Sequence, residues 1–360
     1  MEWKLLPIQE RETIWRVGHA QLASGRVVLV MIEHLHTILL TALREQVVPD
    51  VRLAFVDFPD HGNVGDSAIW LGTRMALSAI DRGPIEYVCS RRTYSRRTLR
   101  TSIGSDGLIM LHGGGNFGDL WPSHQELREQ VIRDFPGHRI LQLPQSIHFD
   151  GAESLEKARR TLNGHGGVTL LLRDQKSLDL ARSRFDADSI LVPDAAFGLG
   201  RLERAIEPDR PILWHSRRDL EAPSPILPHV PGLRALDWLE EDVTLGLRAE
   251  WVLAGWLSRG YGLPPAARKR LEQSWTDRAT RRLERGCRFL CRGRVVVTNR
   301  LHGHILCALM GLPHFVSDSK QGKIRNFVDT WTRSCPDLHW CESEDEALRL
   351  ASTTVFQHQP

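Results

Sequence analysis

The sequence predicts an α/β protein built from two doubly wound, Rossmann-like domains that face a cleft. From about residue 51 onwards, short apolar runs alternate with amphipathic stretches, which is typical of parallel βαβ units. The chain has 360 residues, which is long for one hydrophobic core. The alternation is broken once, by a proline-rich segment at 221–232. We therefore predict an N-terminal domain over residues 1–205 and a C-terminal domain over residues 206–360.

In the N-terminal domain, strands are predicted where β-branched and leucine-rich runs stop at turn residues. These strands are 51–58, 85–89, 107–112, 138–144, 167–172 and 189–193, and the helices between them include 65–80, 123–135 and 152–162. An earlier apolar segment, Val27–Leu43, is interrupted by Glu33 and two histidines. We interpret it as an amphipathic helix packed on the domain, with peripheral membrane contact as the alternative.

The C-terminal domain begins near Arg210 and returns to the same rhythm. Helices are predicted at 241–258 and 264–290, followed by strands at 295–299, 313–317 and 338–341, with helices after each. In parallel sheets, ligands bind beyond the carboxyl ends of the strands. The loops that follow the strands are therefore where we expect the functional side chains.

Composition excludes several classes of function. The 47 basic and 44 acidic residues give a net charge of +3, without the concentrated basic face that nucleic-acid binding requires. The six cysteines form no C-x-x-C pair and no zinc-binding spacing. We therefore expect a reduced, cytoplasmic protein without a metal site.

The loop after the first predicted strand, DFPDHGNVGD at Asp57–Asp66, joins that strand directly to a helix. Gly65 allows close approach of a ligand to the backbone, while Asn63 and Asp66 supply hydrogen-bonding side chains. Two interpretations follow: these residues bind a ligand, or Asp66 caps the next helix.

The loop after the third predicted strand contains Gly113, Gly114 and Gly115, followed by Asn116. Because a glycine run is entropically costly, we expect its backbone amides to hold an anion or a sugar hydroxyl at close range. The alternative is a purely structural role for the three glycines. The pattern is neither a Walker loop nor the G-x-G-x-x-G fingerprint of dinucleotide-binding proteins.

Two further strand ends of the N-terminal domain carry polar side chains. Gln145 and Ser146 either line the same cleft or are an ordinary polar strand end. Arg173 stops a very apolar strand, and its planar guanidinium is suited to clamping a carboxylate or phosphate. The alternative for Arg173 is an internal ion pair with Asp174 or Asp194.

The strongest chemical signal lies in the C-terminal domain, where basic and hydroxyl side chains follow two successive strands. Arg300 and His302 stand between a valine-rich strand and an apolar helix, which makes an anion site with a titratable group. His304 does not share a helix face with His302, so we interpret it as a helix-start or packing residue. The next strand end adds Ser317, Ser319, Lys320 and Lys323.

In chain order, these loops resemble the polysaccharide pyruvyl transferase family. The resemblance rests on DFPDHGNVGD, LHGGGNFGD, LPQSI, LRDQKS, PDAAF, TNRLHGHILCALMGLP and SDSKQGKI, and it covers roughly residues 51–332. It implies a two-domain fold similar to the GT-B glycosyltransferases, with the ligands in the cleft. It also implies transfer of pyruvate from phosphoenolpyruvate onto two hydroxyls of a sugar, as a cyclic ketal, with release of phosphate.

The resemblance carries donor-binding roles over to Arg173, Arg300 and His302. Phosphoenolpyruvate bears a phosphate and a carboxylate, so it requires more than one cationic group. The donor side, which we assign to the C-terminal domain together with Arg173, is completed by Ser317, Ser319, Lys320 and Lys323.

His302 is expected to act as the general acid, or to neutralise the departing phosphate. The base that deprotonates the sugar hydroxyl could be Asp66, Asp119 or Asp194. We group Asp66 with Arg173, Arg300 and His302 as the expected catalytic residues. No cofactor is expected, because the donor itself carries the activated bond. The acceptor side comprises Asn63, Gly65, Asp66, Gly113, Gly114, Gly115, Asn116, Gln145 and Ser146.

The expected acceptor is a sugar, linked either to a nucleotide or to a lipid. We therefore expect the enzyme in the cytoplasm, with a position at the inner face of the membrane as an option. Homo-oligomer formation stays open. Two other functions fit the same residues: a GT-B-type glycosyltransferase with a nucleotide-sugar donor, and a non-catalytic module that binds a glycan or phosphometabolite.

Overall fold

The computed structural model describes residues 19–222, 230, 232–239 and 265–357. Within them the predicted α/β class is confirmed, with helices around two separate parallel sheets. The helix predicted at 241–258 and most of the proline-rich segment lie outside the described residues.

The first half of the chain builds the larger sheet. Its helices are α1 (His19–Gln46), α2 (Val64–Ala79), α3 (Arg96–Ile103), α4 (Pro122–Asp134), α5 (Ala152–Asn163) and α6 (Gln175–Arg184). Its strands are β1 (Leu53–Val56), β2 (Ile85–Cys89), β3 (Leu108–Leu111), β4 (Gly114–Gly118), β5 (Arg139–His148), β6 (Val168–Leu172) and β7 (Asp188–Leu191). The central strands β1 and β3 read LAFV and LIML and are buried throughout, as expected for parallel strands that are covered on both faces.

A 3₁₀ helix at Ala195–Leu199 leads into the second half. Its strands are β8 (Arg210–His215), β9 (Gly293–Thr298), β10 (His314–Val316) and β11 (Leu338–Trp340). Its helices are α7 (Pro265–Cys291), α8 (Leu301–Met310), α9 (Lys323–Phe327) and α10 (Glu344–Gln357). The predicted junction near residue 205 falls between β7 and β8, where the chain passes from one sheet to the other.

The strand order fixes where a ligand can bind. The first sheet has the order β2-β1-β3-β5-β6-β7, with β4 beside β5, and the second has the order β11-β10-β9-β8. Every pairing within them is parallel. In the first sheet the order reverses between β1 and β3, and the crevice beyond such a reversal is the usual ligand site of a doubly wound fold.

The glycine run after β3 is not the open loop that the sequence predicts. From Gly114 onwards it forms β4, and Gly114 pairs with Gln145 of β5. A Cβ atom on Gly113 would lie 2.6 Å from the carbonyl oxygen of Pro144. The run therefore allows two backbones to pack closely, which is the structural alternative for these glycines.

The two halves share one core. Helix α7 belongs to the second half of the chain but packs on α2 and contacts β2. A Cβ atom on Gly286 of α7 would lie 2.2 Å from Val64 Cγ1. The ring of Trp275 on α7 packs at a tilt against Phe58, with 4.5 Å between the ring centres. The helix therefore fixes the position of the β1–α2 loop from the outside.

Helix α1 packs on α2 and on the 3₁₀ helix, as predicted for an amphipathic helix on this domain. Within its segment Gly25–Gln46, an 18-residue window has a mean hydropathy of 1.6, and 33% of that window is buried. By length and composition alone this segment could cross a membrane, a test that core helices also pass.

His304, next to the predicted site, is a fully buried packing residue. Its Nδ1 lies 2.8 Å from His314 Nε2, and its Nε2 lies 2.8 Å from the Thr332 hydroxyl. His314 Nδ1 donates to the Leu312 carbonyl at 2.7 Å, so in a neutral ring its Nε2 accepts from His304 Nδ1, and a neutral His304 then accepts from Thr332. Every nitrogen of the two rings therefore has a partner while both rings are neutral.

We expect this pair to make the protein sensitive to acid. Burial lowers the pKa of His314 to about 4 from an ordinary 6.5, and burial also lowers the pKa of His304. The unfolded chain therefore binds protons at a higher pH than the native protein. Stability is full above pH 6.5 and falls as the pH drops towards 4, by about 2 kcal/mol at pH 5 for a histidine with this shift.

Urea unfolding at pH 7.5 and pH 5.0 measures this loss. His314→Gln, which cannot titrate, should be less stable than the wild type at pH 7.5 but should lose less stability between the two pH values. His34→Gln, on the exposed side of α1, is the control and should behave as the wild type. An unchanged pH dependence in His314→Gln would contradict the assignment.

Candidate active site

The carboxyl ends of both sheets open onto a cleft of about 430 Å³. Its walls come from the loops after β1, β3 and β6 on one side and after β8, β9 and β10 on the other. Of the residues selected from the sequence, those that line the cleft are Asn63, Asp66, Gly115, Asn116, Arg173, Arg300, His302, Ser319 and Lys323. Gly65, Gly113, Gly114, Gln145, Ser146, Ser317 and Lys320 do not line it.

The β1–α2 loop forms one wall, and arginines of α7 hold it in place. Arg282 donates to the Pro59 carbonyl at 3.0 Å, and Arg285 donates to the Gly62 carbonyl at 2.7 Å. Arg278, one turn earlier on α7, is fully buried and forms an ion pair with Asp60. Since these arginines are spaced at helical intervals, one face of α7 fixes the whole loop.

The loop ends at the first turn of α2, where Gly65 makes room for His302. A Cβ atom at Gly65 would lie 2.4 Å from His302 Nδ1 and 2.7 Å from His302 Cβ. On its other side, His302 Nε2 lies 3.4 Å from Asp194 Oδ2. The imidazole is thus held between a helix start of the first half and a fully buried carboxylate.

Asp66, on the same turn, also faces the cleft and is poised as an anion. Its Oδ2 accepts from Asn63 Nδ2 at 2.7 Å and lies 3.7 Å from His61. Burial by itself would raise the pKa of Asp66, but His61, His112 and His302 hold it below the ordinary value. The residue that caps α2 is Asn63 and not Asp66, because the Asn63 side chain accepts from the Gly65 amide at 3.3 Å.

Arg173 combines both of its predicted interpretations. Its Nη1 donates to Asp194 at 2.7 Å and its Nε donates to Ser146 at 2.9 Å, so the internal ion pair exists. Asp174 instead caps α6 by accepting from the Ser177 amide. Although burial would raise the pKa of Asp194, His302 and Arg173 hold it far below the ordinary value, so this carboxylate stays ionised between them.

The remaining amino group of Arg173 points to Gly115, where a cation from the second half meets it. The Cβ position of Gly115 lies 3.0 Å from Arg173 Nη2 and 3.3 Å from Lys323 Nζ. Lys323 donates to the Gly115 carbonyl at 2.9 Å and lies 3.3 Å from Glu221. Burial lowers the pKa of Lys323. Because Gly115 has no side chain, both cations reach the same small space.

Arg300 lies on the opposite wall and is 3% exposed. It donates to Asp237 at 2.6 Å and to Asp219 at 3.3 Å, while its buried Nε has no hydrogen-bond partner within the described ranges. Although burial would raise the pKa of Asp237, His215 and Arg300 lower it to about 2. The guanidinium therefore has a donor that its carboxylate partners leave unused.

The segment after β8 supplies a cation and two carboxylates that the sequence analysis did not select. Arg217 donates to both oxygens of Asp219, at 2.9 and 3.0 Å, and to Glu221 at 2.8 Å. Glu221 also accepts from the indole of Trp121, across the cleft, at 3.1 Å. Although burial would raise the pKa of Glu221, Lys323 and Arg217 hold it below its ordinary value.

Histidines of the first half complete the cleft and were also missed. His124 Nδ1 lies 2.6 Å from Asp57 Oδ2, and Asp57 has a φ of 72°, which a non-glycine residue rarely adopts. Burial lowers the pKa of His112 to about 4, and neither of its ring nitrogens has a partner in the part of the chain described. Asp57 and His112 could have been identified from the sequence, because each directly follows a strand, β1 or β3.

Several predicted residues act behind the cleft wall. Ser146 donates to Asp174 at 2.6 Å and supports Arg173, and Gln145 donates to Asn116 at 2.6 Å. Asp119 accepts from the amides of Asp150 and Gly151 and from Ser154, so it fixes the start of α5 and does not line the cleft.

Two predicted donor residues also lie outside the cleft lining. Ser317 is buried, with its hydroxyl unpartnered among the described residues. Lys320 is exposed. Across the described ranges, no group of three or more His, Cys, Asp or Glu side chains has an arrangement that would hold a metal ion.

The fold and cleft define a Rossmann-like protein whose two parallel sheets present buried cations to one cleft. The family model for polysaccharide pyruvyl transferases matches residues 63–320. Pyruvyl transferase 1 of Schizosaccharomyces pombe (strain 972) is 34% identical over 296 residues, which cover 79% of this chain and 70% of that protein. The putative pyruvyl transferase EpsO of Bacillus subtilis (strain 168) is 29% identical over 301 residues, covering 82% of this chain and 90% of EpsO.

A crystal structure of a functionally uncharacterised protein from Klebsiella pneumoniae is similar in fold. The TM-score is 0.57 at 15% identity, over 86% of this chain and 99% of that chain. The chain belongs to the polysaccharide pyruvyl transferase family, which confirms the resemblance seen in its motifs. It is therefore a transferase.

Replacing Gly65 tests the placement of His302. In Gly65→Ala the new methyl group would collide with the imidazole and its Cβ, so His302 must leave its observed position between Gly65 and Asp194. We expect pyruvyl transfer to fall about 100-fold or more, because displacements of an ångström at a reacting centre have effects of that size.

Gly137→Ala is the matched control, since a Cβ atom there meets nothing within 4 Å. It should keep wild-type activity, and the melting temperatures of both variants should be recorded. Wild-type turnover in Gly65→Ala would show that His302 need not occupy its observed position.

Proposed function

We propose that this protein transfers the pyruvyl group of phosphoenolpyruvate to two hydroxyls of a sugar, forming a cyclic ketal and releasing phosphate. The observation that carries the proposal is the approach of Arg173 Nη2 and Lys323 Nζ, from opposite halves, to Gly115. Arg300 supplies a further cation on the opposite wall. A ligand with a phosphate and a carboxylate joined by a short carbon frame suits cations arranged in this way.

The chemistry requires two proton transfers. The first hydroxyl oxygen bonds to C2 of the donor, and a proton is added to the methylene carbon, which becomes the methyl group. The second hydroxyl oxygen then bonds to C2 as the C2–O bond to phosphate breaks, and phosphate leaves with the second proton. The two hydroxyl protons therefore balance the one on the methyl group and the one on phosphate.

His302 is the group best placed to deliver a proton. Its Nε2 faces Asp194, whose negative charge would stabilise the protonated ring, and this leaves Nδ1 beside Gly65 for the exchange. Asp66 is the base that we favour for a hydroxyl, because it faces the cleft and stays ionised. Asp194 is engaged with Arg173 and is fully buried, and Asp119 lies outside the cleft lining.

On this proposal the acceptor enters along the first-half wall, between the β1–α2 loop and Trp121. Trp121 lines the cleft and offers an aromatic face for a sugar ring, whereas Trp70 and Trp214 are buried in the core. The acceptor is a saccharide that a nucleotide or lipid carrier would present. We propose that the enzyme acts in the cytoplasm, with no cofactor beyond the donor itself.

A nucleotide-sugar donor is the rival function, and the position of Asp318 weighs against it. A glycosyltransferase of this shape would need a carboxylate to bind the ribose, and Asp318 is the first carboxylate after the TNRLHGH segment in the sequence. Its Oδ1 instead accepts from the amides of Ser319 at 2.8 Å and Ile324 at 3.2 Å. The side chain therefore organises the loop before α9.

Incubation with isotopically labelled phosphoenolpyruvate and a panel of nucleotide- and lipid-linked sugars tests the proposal. We expect stoichiometric phosphate release and a product whose mass shows an added pyruvate ketal. In parallel, phosphoenolpyruvate should raise the melting temperature, and incubation with nucleotide sugars should release no free nucleotide. His302→Ala should bind the donor without turnover, whereas a non-catalytic module would show no turnover in the wild type either.

Two lysines close together in sequence provide a matched test of the donor site. Lys323→Met removes the buried cation beside Gly115, and we expect KM for phosphoenolpyruvate to rise by about 10- to 100-fold, the usual cost of a lost charged hydrogen bond. Lys320→Met removes an exposed lysine and should leave that KM unchanged. Initial rates of phosphate release measure both, and equal effects of the two changes would contradict this donor site.

A further inference from the structure

Asn116, at the cleft wall, has an orientation that its neighbours fix. Its Oδ1 accepts from Arg128 Nη2 at 2.8 Å and from Gln145 Nε2 at 2.6 Å. An amide side chain turned round would place its NH₂ group against the guanidinium, donor against donor. Only one of the two orientations is therefore compatible with Arg128.

Arg128 cannot relax this constraint, because it is itself fixed on every side. It is 4% exposed, and its Nε and Nη1 each donate at 2.7 Å, to Gln142 and Gln125 respectively. Its guanidinium lies 4.4 Å from the ring centre of Phe117. An arginine carries donors only and stays protonated, so it always requires an oxygen from Asn116.

With its oxygen occupied twice, Asn116 has only its Nδ2 donor left for the cleft. The preceding residue, Gly115, is the point that Arg173 Nη2 and Lys323 Nζ approach. We propose that Asn116 Nδ2 donates a hydrogen bond to an anionic oxygen of phosphoenolpyruvate beside these two cations, and that Arg128 is the positioning residue that imposes this direction. This inference rests on the proposed function, and it moves Asn116 from the acceptor side to the donor side.

The charge of Arg128 adds to the effect. The acceptors of its hydrogen bonds are amide oxygens of Gln142, Gln125 and Asn116, none of them a carboxylate. Its positive charge is therefore not cancelled by contact, unlike that of Arg173 or Arg300. An amide polarised by a cation behind it is a stronger donor to an anion in front of it.

Asn116→Asp tests the direction of the bond with little change of shape. One carboxylate oxygen would still accept from Arg128 and Gln145, but the other would replace the Nδ2 donor and repel an anionic ligand. We expect KM and Kd for phosphoenolpyruvate to rise at least 100-fold, while KM for the sugar stays within a few-fold. Asn116→Ala, which adds no charge, should raise KM and Kd for phosphoenolpyruvate by about 10-fold. It replaces Asn116→Asp in the test if that variant fails to fold.

Arg128→Met tests the positioning role through the intact Asn116. We expect a several-fold rise in KM for phosphoenolpyruvate, with KM for the sugar unchanged, because the amide is then free to turn. Arg133→Met, also on α4 but with a half-exposed side chain paired to Glu129, is the control and should change neither constant. A purely structural role would alter the melting temperature without this difference between the two substrates.

Calorimetry with phosphoenolpyruvate, inorganic phosphate and pyruvate identifies the oxygen that is bound. If Asn116→Asp weakens the binding of inorganic phosphate but not of pyruvate, the bond is assigned to the phosphate group. If it weakens the binding of pyruvate but not of inorganic phosphate, the bond is assigned to the carboxylate. Unchanged donor binding in both Asn116 variants, or a rise in KM for the sugar only, would overturn the inference. If wild-type protein binds no phosphoenolpyruvate, the proposed function fails first, and the two failures are thereby distinguished.

Discussion

The site depends on one electrostatic constraint, which is that cations removed from water need an opposite charge close by. Arg173, Arg217, Arg300 and Lys323 are all largely shielded from solvent, and each is paired with a carboxylate. The carboxylates do not saturate them, however. Arg173 Nη2 lies beside Gly115, and Arg300 Nε has no hydrogen-bond partner among the described residues, so the network holds the cations in place without using all of their donors.

This arrangement explains why the cleft lies between the halves. Parallel strands bring successive loops to one edge of a sheet, and two such edges facing each other bring Arg173 of one sheet close to Lys323 of the other. Contacts across the boundary hold this geometry, since Trp121 donates to Glu221 and the Trp331 indole donates to the Arg173 carbonyl at 2.9 Å. Neither sheet alone presents the pair of cations.

Much of this could be predicted from the sequence, because βα periodicity and strand-end chemistry are local signals. Arg173, Arg300 and His302 were found in this way. Sequence position alone could not distinguish exposed Lys320 from buried Lys323, since that difference arises from the turn before α9. Arg217 and Glu221 were missed because a mixed-charge segment reads as a solvated surface, and only the opposite wall, with Trp121, makes it part of the site. Helix α3 was missed because its arginines leave little apolar periodicity.

The position of α7 has a consequence for how the molecule folds. In the chain this helix lies between β8 and β9 of the second sheet. It nevertheless covers α2 and anchors the β1–α2 loop through Arg282 and Arg285. Neither half can therefore unravel without exposing apolar surface of the other. We therefore expect the two topologically separate sheets to unfold as a single cooperative unit, with less of the hinge-like freedom that is common between such domains.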